Sequence, residues 1–114
     1  MKKNEIKKIK DVLKNSDWDI DIQSGYITFN TFSPCGQDLT IEIDTEDLNL
    51  QKLNDEMNDR YNNYDVSYET YLWLDSDGHG RNGAPYDMKD LYEDMEECHK
   101  KINELAELIG TCLA

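Results

Sequence analysis

The C-terminal stretch carries the pattern that most constrains the fold. Met88, Leu91, Tyr92, Met95, Cys98, Ile102, Leu105 and Ile109 recur at steps of three and four, which puts them on one face of an α-helix. Asp87 stands before the first of them as an N-cap. Asp90 follows three residues on in a capping-box-like arrangement, and Pro85 precedes the cap. Gly110 comes after the last apolar position, where a glycine commonly ends a helix. The spacing predicts a long helix from Asp87 to about Ile109, and its apolar face has to be buried against something.

Upstream, Asp17 to Ile22 alternates acidic and apolar residues, and Gln23-Ser24-Gly25 offers a turn. Tyr26 to Phe32 is rich in β-branched and aromatic side chains. Ser33-Pro34-Cys35-Gly36-Gln37 is a second turn, and Leu39 to Asp44 alternates again. Such short connections predict an antiparallel meander of about three strands. Two further helices are expected beside the terminal one. Ile6, Ile9, Val12 and Leu13 share a face between Lys3 and about Asn15, with lysines opposite. Leu50, Leu53, Met57 and Tyr61 share another between about Glu46 and Asn62. Val66 to Asp75 fits a strand or a short helix capped by Ser67, and we favour the helix. Asp75 to Pro85 is an irregular loop. The expected architecture is α+β, a single domain over residues 1–114, with a small antiparallel sheet packed against helices.

Charge constrains function more than any motif does. The chain has net charge −13. Six lysines against Glu5 and Asp11 give the first fourteen residues +4, so the remaining hundred carry −17. Such a body repels nucleic acid and anionic membrane and attracts basic protein surfaces, and on composition alone an acidic surface that keeps a small protein dispersed accounts for it more readily. The first helix is expected to pack on the domain, with its lysines answering this acidic body. No apolar run approaches the ~20 residues of a membrane span, and no apolar region follows Met-Lys-Lys, so a cytoplasmic location is expected. Three cysteines without a CxxC pair point to reduced, partly buried thiols.

Several chemical motifs match only in spelling. Asp75-x-Asp77-x-His79-Gly80 begins like a calcium loop, but position five is His79 and position twelve is Tyr86 instead of the closing Glu. Gly78-x-Gly80-x-x-Gly83 would set a phosphate against Asp75 and Asp77 and lacks a βαβ unit. Cys98 and His99 are neighbours on a helix and point about 100° apart. No catalytic residue, cofactor or metal site is expected. The aromatics Tyr64, Tyr68, Tyr71, Trp73, Tyr86 and Tyr92 sit among acids rather than the basic residues of a nucleic-acid binder. They read as core packing or as tyrosine anchors of a protein-binding surface. On the terminal helix, Asp87, Asp90, Glu93, Asp94, Glu96 and Glu97 precede Lys100 and Lys101, with only Lys89 among them. Acids three or four apart stand ~5–6 Å from one another at Cβ, a scale close to phosphate spacing along one nucleic-acid strand.

Ser33-Pro34-Cys35-Gly36-Gln37-Asp38 running into Leu39-Thr40-Ile41-Glu42, together with Leu72-Trp73-Leu74, Gly78-His79-Gly80, Asn82-Gly83-Ala84-Pro85 and Leu91-Tyr92-Glu93-Asp94, resembles small acidic proteins carried by phages and mobile elements of Gram-positive bacteria. The resemblance covers about the last two-thirds of the chain and rests on turns, caps and an acidic helix. Some small acidic proteins in that setting are anti-CRISPR inhibitors of Cas9-type nucleases. The resemblance and the −17 body together lead to the expectation of a non-enzymatic inhibitor with a basic protein partner, such as a Cas nuclease, and the charge alone to that of no direct binding of nucleic acid or membrane. Asp87, Asp90, Glu93, Asp94 and Glu97, with Tyr64 and Tyr68, are the candidate partner-binding residues. The alternative is an accessory interaction module of a mobile element without nucleic-acid mimicry.

Overall fold

A computed structural model describes residues 1–81 and 83–113; Asn82, part of the expected loop, and Ala114 lie outside them. In chain order the elements are α1 (Lys3–Leu13), β1 (Asp19–Gln23), β2 (Tyr26–Phe32), β3 (Asp38–Asp44), α2 (Leu50–Asn63), α3 (Val66–Leu72) and α4 (Met88–Thr111). The fold is α+β, as the sequence predicts. Among the described residues no helix is long and apolar enough to cross a membrane.

The three strands form an antiparallel meander in the order β1-β2-β3. Pairing sets Ile20 opposite Phe29 and Phe29 opposite Ile41, while Ile22 faces Ile27 and Ile27 faces Ile43. These side chains share one face of the sheet because strand residues alternate. Ile27, Phe29, Ile41 and Ile43 are buried there, whereas Thr40 and Glu42 stand exposed on the other face. Trp18 lies one residue ahead of β1, fully buried, with its indole N–H donating to the Lys101 carbonyl at 3.1 Å. It anchors the sheet to α4 instead of extending the strand.

Helix α4 runs along two apolar clusters. Its C-terminal half sets Ile102, Leu105, Ile109 and Cys112 against the sheet, α1 and α2. Its N-terminal half buries Leu91, Met95 and Cys98 under Leu39, Tyr64, Val66, Trp73 and Leu74. The predicted burial of Leu91, Met95, Ile102 and Leu105 is seen at all four positions. A helix of 24 residues is ~36 Å long, which accounts for the elongated 49 × 25 × 21 Å molecule.

Several boundaries differ from expectation. Gly110 lies inside α4, because the apolar stripe continues three residues to buried Cys112 and packing carries the helix past the glycine. Helix α2 starts at Leu50, not Glu46. Asp47 is in the left-handed region at φ 55°, and Asn49 caps the helix by accepting from the Lys52 amide at 2.9 Å. Val66–Leu72 is the favoured helix, but Asp65 caps it through the Tyr68 amide and Ser67 falls inside it. Among the described residues the ion pairs are Lys89–Glu93, Lys100–Glu97 and Lys101–Asp17. None involves α1, so its lysines hold no acid of the body in an ion pair.

Candidate functional site: an acidic groove along helix α4

The Asp87 side chain accepts the Lys89 amide at 3.0 Å and so fixes the first turn of α4. From that cap the helix presents Asp87, Asp90, Glu93, Glu96 and Glu97 along one side of an open groove. Pro34 and Cys35 from the β2–β3 turn, with Tyr86 ahead of the helix, also line it. Lys100 is the one cation among the described lining residues. It is held by Glu97 at 2.9 Å, and that hydrogen bond raises its pKa. Glu93 reaches Lys89 at 4.0 Å across an exposed i,i+4 pair, a separation at which such pairs contribute little. Asp87, Asp90 and Glu96 have no ion-pair partner among the described residues.

Asp94 departs from the expected ridge. It is 2 % exposed, and its Oδ1 accepts the Cys35 backbone N–H at 3.0 Å. The turn from Ser33 to Gln37 folds over it, closed by the Ser33 amide on the Gln37 carbonyl and the Gln37 amide on Ser33 Oγ. Asp94 Oδ2 has no hydrogen-bond partner among the described residues. This acid positions the turn and is not a solvent-facing member of the ridge. Glu96, which lines the groove, takes its place.

The two candidate tyrosines part company. Tyr68 is 58 % exposed on α3. Tyr64 is half-buried, stacked on His99 with ring centroids 5.1 Å apart, and its hydroxyl meets Met95 Sδ at 3.6 Å. Burial drives its pKa upward, and the same burial, with Asp94 nearby, pushes the Cys98 thiol up to about 12. Tyr61 stacks on His99 at 4.3 Å, and His99 Nε2 lies 2.9 Å from the Tyr61 carbonyl. Tyr64 therefore packs between α2 and α4.

In the Asp75–Pro85 loop, Asp75 Oδ1 accepts the Asp77 and His79 amides. Those bonds, the His79 one foremost, lower its pKa. His79 stacks on Tyr86 with centroids 4.1 Å apart. The Asp75 carboxylate thus organises the turn from within, as Asx residues do. Among the described residues no group of three or more His, Cys, Asp or Glu side chains is placed to hold a metal.

A second groove, not expected from the sequence, runs between α3 and α4. Met88 and Tyr92, expected on the buried stripe, are exposed, and with Tyr71 and Leu74 they line an apolar channel between α3 and α4. Glu93 and Glu96 line both grooves and form the crest between them. The signal in the sequence is an apolar stripe on α4 wider than one covering element buries, beside a helix that carries Tyr68 and Tyr71. Comparison of the chain with protein-family models, with curated proteins and with solved structures finds no match.

Proposed function

We propose that this protein is a non-enzymatic inhibitor that occupies a basic, nucleic-acid-binding groove of a bacterial defence nuclease of the Cas9 type. The observation that carries the reading is the row of acids along α4, from Asp87 to Glu97, facing a groove whose single lining lysine is already paired. Positions 87, 90, 93 and 97 advance ~4.5–6 Å per step along the axis, so their carboxylates imitate the repeating charge of a phosphate strand. The −17 of the body outside the first fourteen residues adds long-range attraction, which raises association rates toward cationic partners. The resemblance to mobile-element proteins supplies the biological setting.

The test is binding to a Cas9-type nuclease at increasing salt, with and without duplex DNA. Competition by DNA, and affinity that falls steeply as the Debye length shrinks toward ~3 Å at 1 M salt, are expected. Replacing Asp90, Glu93, Glu96 and Glu97 by lysine should abolish binding and spare the fold, since all four lie outside the buried core. Full inhibition by that folded variant rejects the mimic. A second reading, an interaction module without mimicry, is favoured by the apolar groove beside the acids; binding that DNA leaves untouched would select it.

A further inference from the structure

The channel between α3 and α4 is an apolar floor with an acidic wall. Tyr71 is 72 % exposed and Met88 54 %, and Leu74 and Tyr92 complete the floor with them. Large apolar side chains are usually exposed singly; a contiguous set on two adjacent elements marks a contact surface. Its wall is Glu93 and Glu96, and its one lysine, Lys89, leans on Glu93 at 4.0 Å. An occupant must therefore bring apolar side chains for the floor and cationic ones for the wall.

We propose that this channel docks a cationic amphipathic helix of a partner protein, its apolar stripe on Tyr71, Leu74, Met88 and Tyr92 and its Lys or Arg residues on Glu93 and Glu96. The geometry is that of a helix laid in a groove, read through anchors at helical spacing. A second copy of the chain fits poorly. Its own basic helix is α1, and the apolar residues Ile9 and Leu13 of that helix are buried in its own core. It could offer lysines but not the apolar stripe. The inference rests on the reading of α4 as a binding helix, but it does not need the partner to hold nucleic acid.

The probe is a fluorescein-labelled peptide of about 18 residues, five helical turns, made of leucine and lysine at helical period. Its control is a scrambled peptide of the same composition and charge. The periodic peptide should saturate the native protein at one to one and bind at least about tenfold more tightly than the scrambled one, a difference of ~1.4 kcal/mol. Tyr71→Ser with Met88→Ser should remove that preference, and both positions are exposed enough to leave the fold intact. Glu93→Gln with Glu96→Gln should weaken the peptide and flatten its salt dependence. Equal binding of both peptides to the native protein overturns the proposal, as does an unchanged affinity in the Tyr71/Met88 variant. A dimer in sedimentation that becomes monomeric in that variant assigns the channel to a second copy and also overturns it. Failure of DNA competition in the nuclease assay leaves these readouts unaffected, so the two readings fail separately.

Discussion

The backbone N–H of Cys35 donates to Oδ1 of buried Asp94 at 3.0 Å, and this bond joins the β2–β3 turn to the acidic helix across 59 residues of sequence. A buried carboxylate left without its partner costs more than the bond itself contributes. Asp94→Ala removes the acceptor from beneath the turn and should destabilise the protein by about 1–3 kcal/mol in urea unfolding. Asp94→Asn retains an acceptor for Cys35 and neutralises a carboxylate whose Oδ2 has no hydrogen-bond partner among the described residues, so it should cost less than alanine. An asparagine variant less stable than the alanine one would contradict this account.

The same contact sets thiol reactivity. Cys35 is exposed, whereas Cys98 and Cys112 are buried. Desolvation raises the Cys35 pKa, and the Asp94 carboxylate raises it further, so less thiolate is present near neutral pH. Titration of the native protein with a chromogenic disulfide should therefore show one accessible thiol that reacts more slowly than free cysteine, and two that react only on unfolding. Asp94→Asn should speed the first. Fast reaction of all three in the native state would rule out this arrangement.

Leu91 is fully buried in the cluster that Leu39, Tyr64, Val66, Trp73 and Leu74 cover. Truncation to alanine leaves a cavity that its neighbours only partly fill, and it should cost ~2–5 kcal/mol. Differential scanning calorimetry checks this, and a loss below ~1 kcal/mol would show that the second cluster is loosely packed.

Gly80 marks a close backbone approach. A Cβ there would lie 1.8 Å from the Pro85 carbonyl oxygen, and the Gly80 amide donates to the Tyr86 carbonyl at 3.1 Å. Gly80→Ala must push the two arms of the loop apart, breaking the stack of His79 on Tyr86. A loss of ~1–3 kcal/mol is expected, together with weaker binding at the acidic groove, which Tyr86 lines. Wild-type stability and affinity in this variant would contradict the close approach.

Glu69 on α3 has its pKa raised, first by burial and then by Asp65. A carboxyl group with a raised folded pKa favours the fold below its unfolded pKa. That contribution is lost as pH rises through the folded value, so ionised Glu69 opposes folding at neutral pH. Glu69→Gln should raise the melting temperature at pH 7, and the gain should vanish well below pH 4.5, the ordinary value for this group. A gain that persists there would assign the effect to packing instead of charge.

The sequence by itself determined most of the elements and their faces, with Val66 to Asp75 open between strand and helix. Period two along β2 and β3 and period 3.6 along α4 fix which side chains can share a face, because backbone geometry imposes those periods wherever the strand or helix lies. The Asp87 cap and the two turns were legible for the same reason, since each depends on residues within a few positions of one another. Tertiary structure alone decided which of those faces found a cover. Met88 and Tyr92 belong to the same stripe as Leu91 and Met95, yet the cluster formed with Tyr64, Val66, Trp73 and Leu74 closes over Leu91 and Met95 and leaves those two exposed. Asp94 has the same sequence context as Glu93 and Glu97, yet it is buried because a turn from residues 33–37 lands on it. Gly110 would end an isolated helix, yet packing of Ile109 and Cys112 carries α4 through it. Each of these outcomes depends on a contact between segments distant in sequence, and local periodicity carries no information about such contacts.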